Sequence, residues 1–457
     1  MKKAKEKRGF QRHGMAILAV FGVCSGGYLL SPAAAGAPEP GVTCRVEIDR
    51  HVLPANGPQK AVVKVTLDAP PLPERIERPA VNLSIVLDRS GSMAGQKLAK
   101  AKDAAIEALR RLGPGDIFSV VVYNHNVRTV VPAQSARNAE WIEGRIRKIR
   151  SGGNTALFAG VSQGAAEVRR NLERGYVNRI ILLSDGLANV GPSTPQDLGR
   201  LGAALIKESI SVTTVGVGTD YNEDLMTRLS QNSDGNTYFV ESSRDLPRIF
   251  AAELGDVLSV VAKKVHLIIE CLDGVRPLNI IGREGRIKGR TVELSLNQLY
   301  GNQEKYALVE VEIPRGRSGE EINIAFARVS YENAFTKGRE TSSGQARARF
   351  SKNEIEVKKS ANVGVQREYR LNLNAIAQDR AIYFADQGKK AAAVSELKKS
   401  AAKLRDLGNR HKDKKLLKEA DEVEKQARQI EKEGMTKKSR KTLRTKAYQK
   451  RHQQSKQ

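Results

Sequence analysis

Three strand-like runs rich in Val, Ile and Leu constrain this chain most: AVNLSIVLD (80–88), RIILLS (179–184) and SVTTVGV (211–217). A strand with apolar residues on both of its faces has no face to spare for water, so both must be covered. The cover is written between the runs. QKLAKAKDAAIEALRRL (96–112), ALFAGVSQGAAEVRRNLE (156–173) and PQDLGRLGAALIKE (195–208) repeat apolar residues at helical spacing. WIEGRIRKI (141–149) reads as a shorter helix, and DIFSVVVYN (116–124) pairs with VRTVVP (127–132) across a short turn. Strand–helix alternation over residues 80–255 predicts an α/β domain with a doubly wound, mainly parallel sheet.

The flanks follow a different period. VTCRVEIDRHVL and KAVVKVTLDA within 42–79 alternate apolar and polar residues, and so do KVHLIIECL, GRTVELSL, YALVEVEIP and EINIAFARVSYE within 256–350. The simplest architecture joins both flanks in one β-sandwich, with the α/β domain inserted between them. Residues 365–435 are helical, with Gly388 and Gly408 as natural breaks, and predict a helical hairpin or bundle. Their Ala spacing is similar to that of tetratricopeptide helix pairs, but no full repeat of about 34 residues is evident. The last stretch, 436–457, has no acidic residue and little periodicity, which predicts a basic disordered tail.

Charge is uneven along the chain. Of the net +26, residues 351–457 carry 29 Lys and Arg against 14 Asp and Glu, and residues 1–35 carry 6 against 1. The long middle is nearly balanced. The charged leader MKKAKEKRGFQRH precedes the apolar run GMAILAVFGVCSGGYLL and the small-residue stretch SPAAAGAPEP. That order predicts a signal peptide over 1–35, cleaved after Ala35, and an exported product, periplasmic or secreted. An uncleaved membrane anchor is the alternative; lipidation at Cys24 is disfavoured by Val23 before it. Cys44 and Cys271 then remain, either as a disulfide or as two separate buried thiols.

The strand ending at Asp88 continues as DRSGSMAG. Asp88, Ser90 and Ser92 alternate along it, and Gly91 and Gly95 allow a tight turn. In an open α/β sheet ligands bind at the carboxyl ends of strands, where strand order reverses. Thr155, after the Gly152–Gly153 pair, and Asp185, at the end of the second aliphatic run, belong to the same edge. Hard oxygen donors of this kind favour Mg²⁺, Ca²⁺ or Mn²⁺ over softer metals.

Asp88, Ser90, Ser92, Thr155 and Asp185 together resemble the metal-ion-dependent adhesion site of the von Willebrand factor A domain, with order and spacing kept over residues 80–255. The resemblance implies that Ser90 and Ser92 ligate a divalent cation, Mg²⁺ first. It implies that Thr155 ligates directly or through water, and that Asp88 and Asp185 act largely through bound waters. It further implies a protein partner that offers Asp or Glu to the metal. The flanks resemble exported bacterial members of the family in layout. Arg89 and Met93 carry no assigned role, and Thr219, Asp220 and Asn222 read as a solvated loop.

Enzyme readings find little support. The chain has no phosphate-binding glycine loop, no serine nucleophile elbow and no histidine cluster; His125 reads as a turn residue. Two functions remain: a non-enzymatic, metal-dependent adhesion module, or an anion binder acting through the basic tail with the α/β domain as scaffold. Only Tyr448 interrupts the tail with an aromatic ring, so specific nucleic-acid recognition is not expected.

Overall fold

The structure is a computed structural model that describes residues 41–72, 77–172 and 175–454. The expected signal peptide lies outside the described residues, among which no helix is long and apolar enough to cross a membrane. The described residues open with β1 (Thr43–Ile48), β2 (Val52–Pro54) and β3 (Gln59–Asp68). An α/β layer follows: β4 (Val81–Asp88), α1 (Gln96–Arg110), β5 (Ile117–Tyr123), β6 (Val127–Ser135), α2 (Ala139–Arg147), α3 (Leu157–Arg169), β7 (Val177–Ser184), α4 (Pro195–Lys207), β8 (Ile210–Val217), α5 (Glu223–Asn232), β9 (Thr237–Val240) and α6 (Leu246–Leu258).

Its strands lie in the order β6-β5-β4-β7-β8-β9, parallel except for the antiparallel edge strand β6. Every residue of β4, β5, β7 and β8 is buried, which is why their sequences lack a polar alternation. Helices α1, α2 and α6 cover one face and α3, α4 and α5 the other. Strand order reverses between β4 and β7, so the carboxyl ends of these neighbours form the crevice of the sheet.

The remaining strands are β10 (Val260–Cys271), β11 (Arg276–Ile281), β12 (Arg286–Lys288), β13 (Thr291–Tyr300), β14 (Glu304–Ile313), β15 (Glu321–Asn333) and β16 (Arg339–Ser351). They form a sandwich with the N-terminal strands. One sheet runs β1-β3-β14-β11 and the other β12-β13-β10-β15-β16-β2. Strand β3 pairs with β14 along its whole length, from Gln59↔Ile313 to Asp68↔Glu304. The inner residues Val63, Val65 and Leu67 share one core with Val265, Leu267 and Ile269. The α/β domain is therefore inserted in the sandwich. Buried Arg179 of β7 ties the two together, donating to Tyr300 Oη at 2.6 Å and Gln298 Oε1 at 2.9 Å. Cys44 and Cys271 are buried, unbridged thiols in opposite sheets, and burial pushes both up to about 11.

The C-terminal part comprises α7 (Glu354–Lys359), α8 (Val363–Asp386), α9 (Lys390–His411), α10 (Lys414–Glu433) and α11 (Lys437–Arg451). Helix α8 seats Val365 and Tyr369 on Val62, Tyr306 and Leu308 of the four-stranded sheet, and α9 and α10 pack beside it.

Two sequence expectations need correction here. Gly408 does not break a helix; α9 runs through it, and the chain turns at left-handed Lys412 before Asp413 caps α10. The glycine serves close approach instead, since a Cβ there would stand 2.8 Å from Leu417. The tail is not disordered either, because residues 437–451 form α11. Local sequence hides this because its counter-charges lie elsewhere. Lys441, 3% exposed, pairs with Glu223, Arg444 with Asp224 and Asp379, and Lys450 with Glu368. Buried Tyr448 donates to Gly235 O.

Candidate metal centre

Strand β4 delivers Asp88 to the crevice, and the chain then turns sharply. Asp88 Oδ1 accepts from Ser90 N at 2.8 Å, and residues Gly91–Met93 close a 3₁₀ turn anchored by buried Met93. Gly95, at φ +74°, lets the chain enter α1. Strand β7 delivers Ser184 and Asp185 alongside. Ser184 Oγ donates to Asp88 Oδ2 at 2.7 Å, so both oxygens of Asp88 are held.

Thr155 arrives from the third loop, just before α3. Gly152 N donates to Arg89 O and Gly91 N to Gly153 O, lacing that loop to the end of β4. Gly153 cannot be replaced freely; it sits at φ +85°, and a Cβ would meet His125 and Asn124 below 3 Å. Asn189 Oδ1 accepts from Thr155 N at 2.8 Å and fixes Thr155 against the loop after β7.

All five predicted residues meet at this crevice. Ser90 Oγ and Ser92 Oγ are 3.1 Å apart, and Ser92 donates to Asp185 Oδ1 at 2.7 Å. A Cβ built on Gly186 would stand 3.4 Å from both Ser92 Oγ and Thr155 Oγ1 and 3.9 Å from Ser90 Oγ. Three hydroxyls thus border one small space that a side chain at position 186 would enter. Asp88 and Asp185 are fully buried. Burial pushes the Asp88 carboxyl up, against the hydrogen bonds from Ser90 and Ser184; the nearby charge of Asp185 pushes the same way as burial.

Two close carboxylates and three hydroxyls suit a hard cation. The fit is supported by a stand-in positive charge: Lys97 Nζ lies 2.5 Å from Asp185 Oδ2. Among the described residues no group of three or more His, Cys, Asp or Glu side chains could hold a metal. Of the loop residues considered from sequence, Asn222 caps α5 and Asp220 pairs with Lys437 at the C-terminal helix. His125 is exposed in the β5–β6 turn. Sequence reasoning missed Lys97, Ser184 and Asn189. Only Ser184, abutting Asp185 at a strand end, carried a local signal.

Comparison with known proteins adds the family of this layer. Residues 82–252 match the von Willebrand factor type A domain. The A domain thus coincides with the α/β layer, and its strand order and site lie within the matched residues. An uncharacterised protein of Synechocystis sp. is 27% identical over 263 residues, 55% of this chain and 62% of that protein. The chain thus spans less than two thirds of this curated relative's length. A solved von Willebrand factor type A protein from Catenulispora acidiphila superposes with a TM-score of 0.66 at 18% identity, over 86% of this chain and 91% of that one. The ArnB paralog VWA2 of Sulfolobus acidocaldarius superposes with a TM-score of 0.59 at 16% identity, over 90% and 98%. These likenesses extend the shared fold beyond the A domain to most of the chain.

Proposed function

We propose that this protein is an exported, non-enzymatic binding module whose A domain captures an acidic group of a protein partner in a cation-dependent way. One observation carries the reading: the hydroxyls of Ser90, Ser92 and Thr155 border a single space backed by two buried carboxylates. Ser90, Ser92 and Thr155 would hold a divalent cation directly, with Asp88 and Asp185 holding its waters. When bound, Mg²⁺ or a similar ion supplies a Lewis-acidic docking point for a carboxylate. The chain's own residues do the rest. Ser184 and the Ser90 amide orient Asp88, Asn189 orients Thr155, and the three neutral hydroxyls leave most of the ion's charge for the partner.

The alternative, anion capture by a free basic tail, loses its support because α11 already pairs its cations with Asp220, Glu223, Asp224 and Asp379. Calorimetric titration of the full chain with Mg²⁺, Mn²⁺ and Ca²⁺ tests the site. Capture from envelope extract with and without chelator tests the function. Saturable one-site cation binding and chelator-sensitive capture are expected. Absence of cation binding, or capture indifferent to chelator but abolished by salt, overturns the reading.

A further inference from the structure

The Lys97–Asp185 contact puts the chain's own positive charge at the metal crevice. Asp185 is fully buried, and its two oxygens take Ser92 Oγ at 2.7 Å and Lys97 Nζ at 2.5 Å. A buried carboxylate without a positive partner is costly, the more so with Asp88 beside it. Lys97 supplies that partner from the first turn of α1. Its side chain is 35% exposed, so a flexible four-carbon stem can swing the ammonium out with no movement of the backbone.

We propose, resting on the metal-site reading, that Lys97 is an exchangeable internal counter-ion. Its ammonium occupies Asp185 when no metal is present and must leave, toward solvent, when a divalent cation binds. Two consequences follow. The mouth stays assembled without metal, because the buried carboxylate is never left unpaired. Cation affinity is also set below what the oxygen donors alone would reach, because each binding event displaces an ammonium. If the ammonium holds Asp185 in about nine of ten cation-free molecules, its removal tightens cation binding about tenfold.

The test uses the full chain in two ways. In calorimetric titration with Mg²⁺ and Mn²⁺, Lys97→Met is expected to bind on the order of tenfold more tightly than wild type. Its cation-free form should melt lower and gain more from added cation. In the wild-type protein, acetylation of Lys97 followed by peptide mass spectrometry should rise as Mg²⁺ is added, with the other lysines as internal reference. This second readout needs no variant to fold. Unchanged or weaker cation binding by folded Lys97→Met, or Lys97 acetylation indifferent to saturating cation, overturns the exchange while the metal site stands. Failure of both wild type and Lys97→Met to bind any cation removes the metal site and the exchange together.

Discussion

At the scale of single residues, the site is a compromise between burial and charge. Asp88 is held by a backbone amide and a serine hydroxyl, and its carboxyl is pushed up by burial. Truncation would orphan two buried donors, so Asp88→Ala should lose about 1–3 kcal/mol of stability. Asp88→Asn keeps the shape and removes the charge. It should melt close to wild type while cation affinity, read by calorimetry, falls about 10- to 100-fold. Ser90→Ala or Ser92→Ala should weaken binding less, because water can replace a neutral ligand. Wild-type cation affinity in folded Asp88→Asn would count against the assignment.

At the scale of elements, α3 shows how helix packing places the site. Gly160 and Gly164 face the sheet, and a Cβ on them would stand 2.6 Å from the Tyr123 ring and 2.5 Å from Val86 Cγ2. These glycines let α3 lie close enough to β4 and β5 for Thr155, at its N-terminal approach, to reach the mouth. Gly164→Ala should therefore cost about 1–3 kcal/mol through overpacking. Gly144→Ala in α2, where nothing lies within 4 Å, should gain up to about 1 kcal/mol from helix propensity. Chemical denaturation of the two variants checks the sign of each.

Helix α11 makes the opposite kind of contact, through buried charge. Lys441 and Glu223 are 3% and 5% exposed, and Arg440 also reaches Glu223. Glu223→Gln strands a buried ammonium and should cost about 3–5 kcal/mol. Lys441→Met should cost less, because Arg440 still covers Glu223. The reverse order in a denaturant series would show that these pairs behave as surface contacts.

At the scale of the whole molecule, Glu368 joins α8, α10, α11 and the sandwich. It accepts from Tyr306, Lys415 and Lys450. Burial alone would push its carboxyl up, but Lys450, Lys415 and these hydrogen bonds outweigh that and hold it at about 2. A folded value below the unfolded one means stability that is present above the unfolded value and lost as pH falls through the folded one. The contribution is at most about 3 kcal/mol, lost between roughly pH 4.5 and 2. Denaturant midpoints of wild type and Glu368→Gln should therefore converge across that window. A constant difference would place the coupling elsewhere.

What could be read in the chain is what depends on near neighbours. Largely aliphatic runs such as RIILLS, set between helical periods, impose strands covered on both faces, and alternation in KAVVKVTLDA imposes a half-buried one. Asp88, Ser90, Ser92, Thr155 and Asp185 were legible because each stands at or just beyond an element end, where topology allows side chains to converge. Tertiary structure alone decided the pairings between distant residues. Lys97 looks like one more solvated lysine on an amphipathic helix until β7 brings Asp185 against it. The 437–451 stretch looks unstructured until Glu223 and Asp224 supply its charge and Gly235 its hydrogen bond. Cys44 and Cys271 look like a possible bridge until they are placed in opposite sheets. The physical reason is common to all three. Periodicity and turn chemistry act over a few residues, whereas the partner of a buried charge is chosen by the packing of elements that the sequence places far apart.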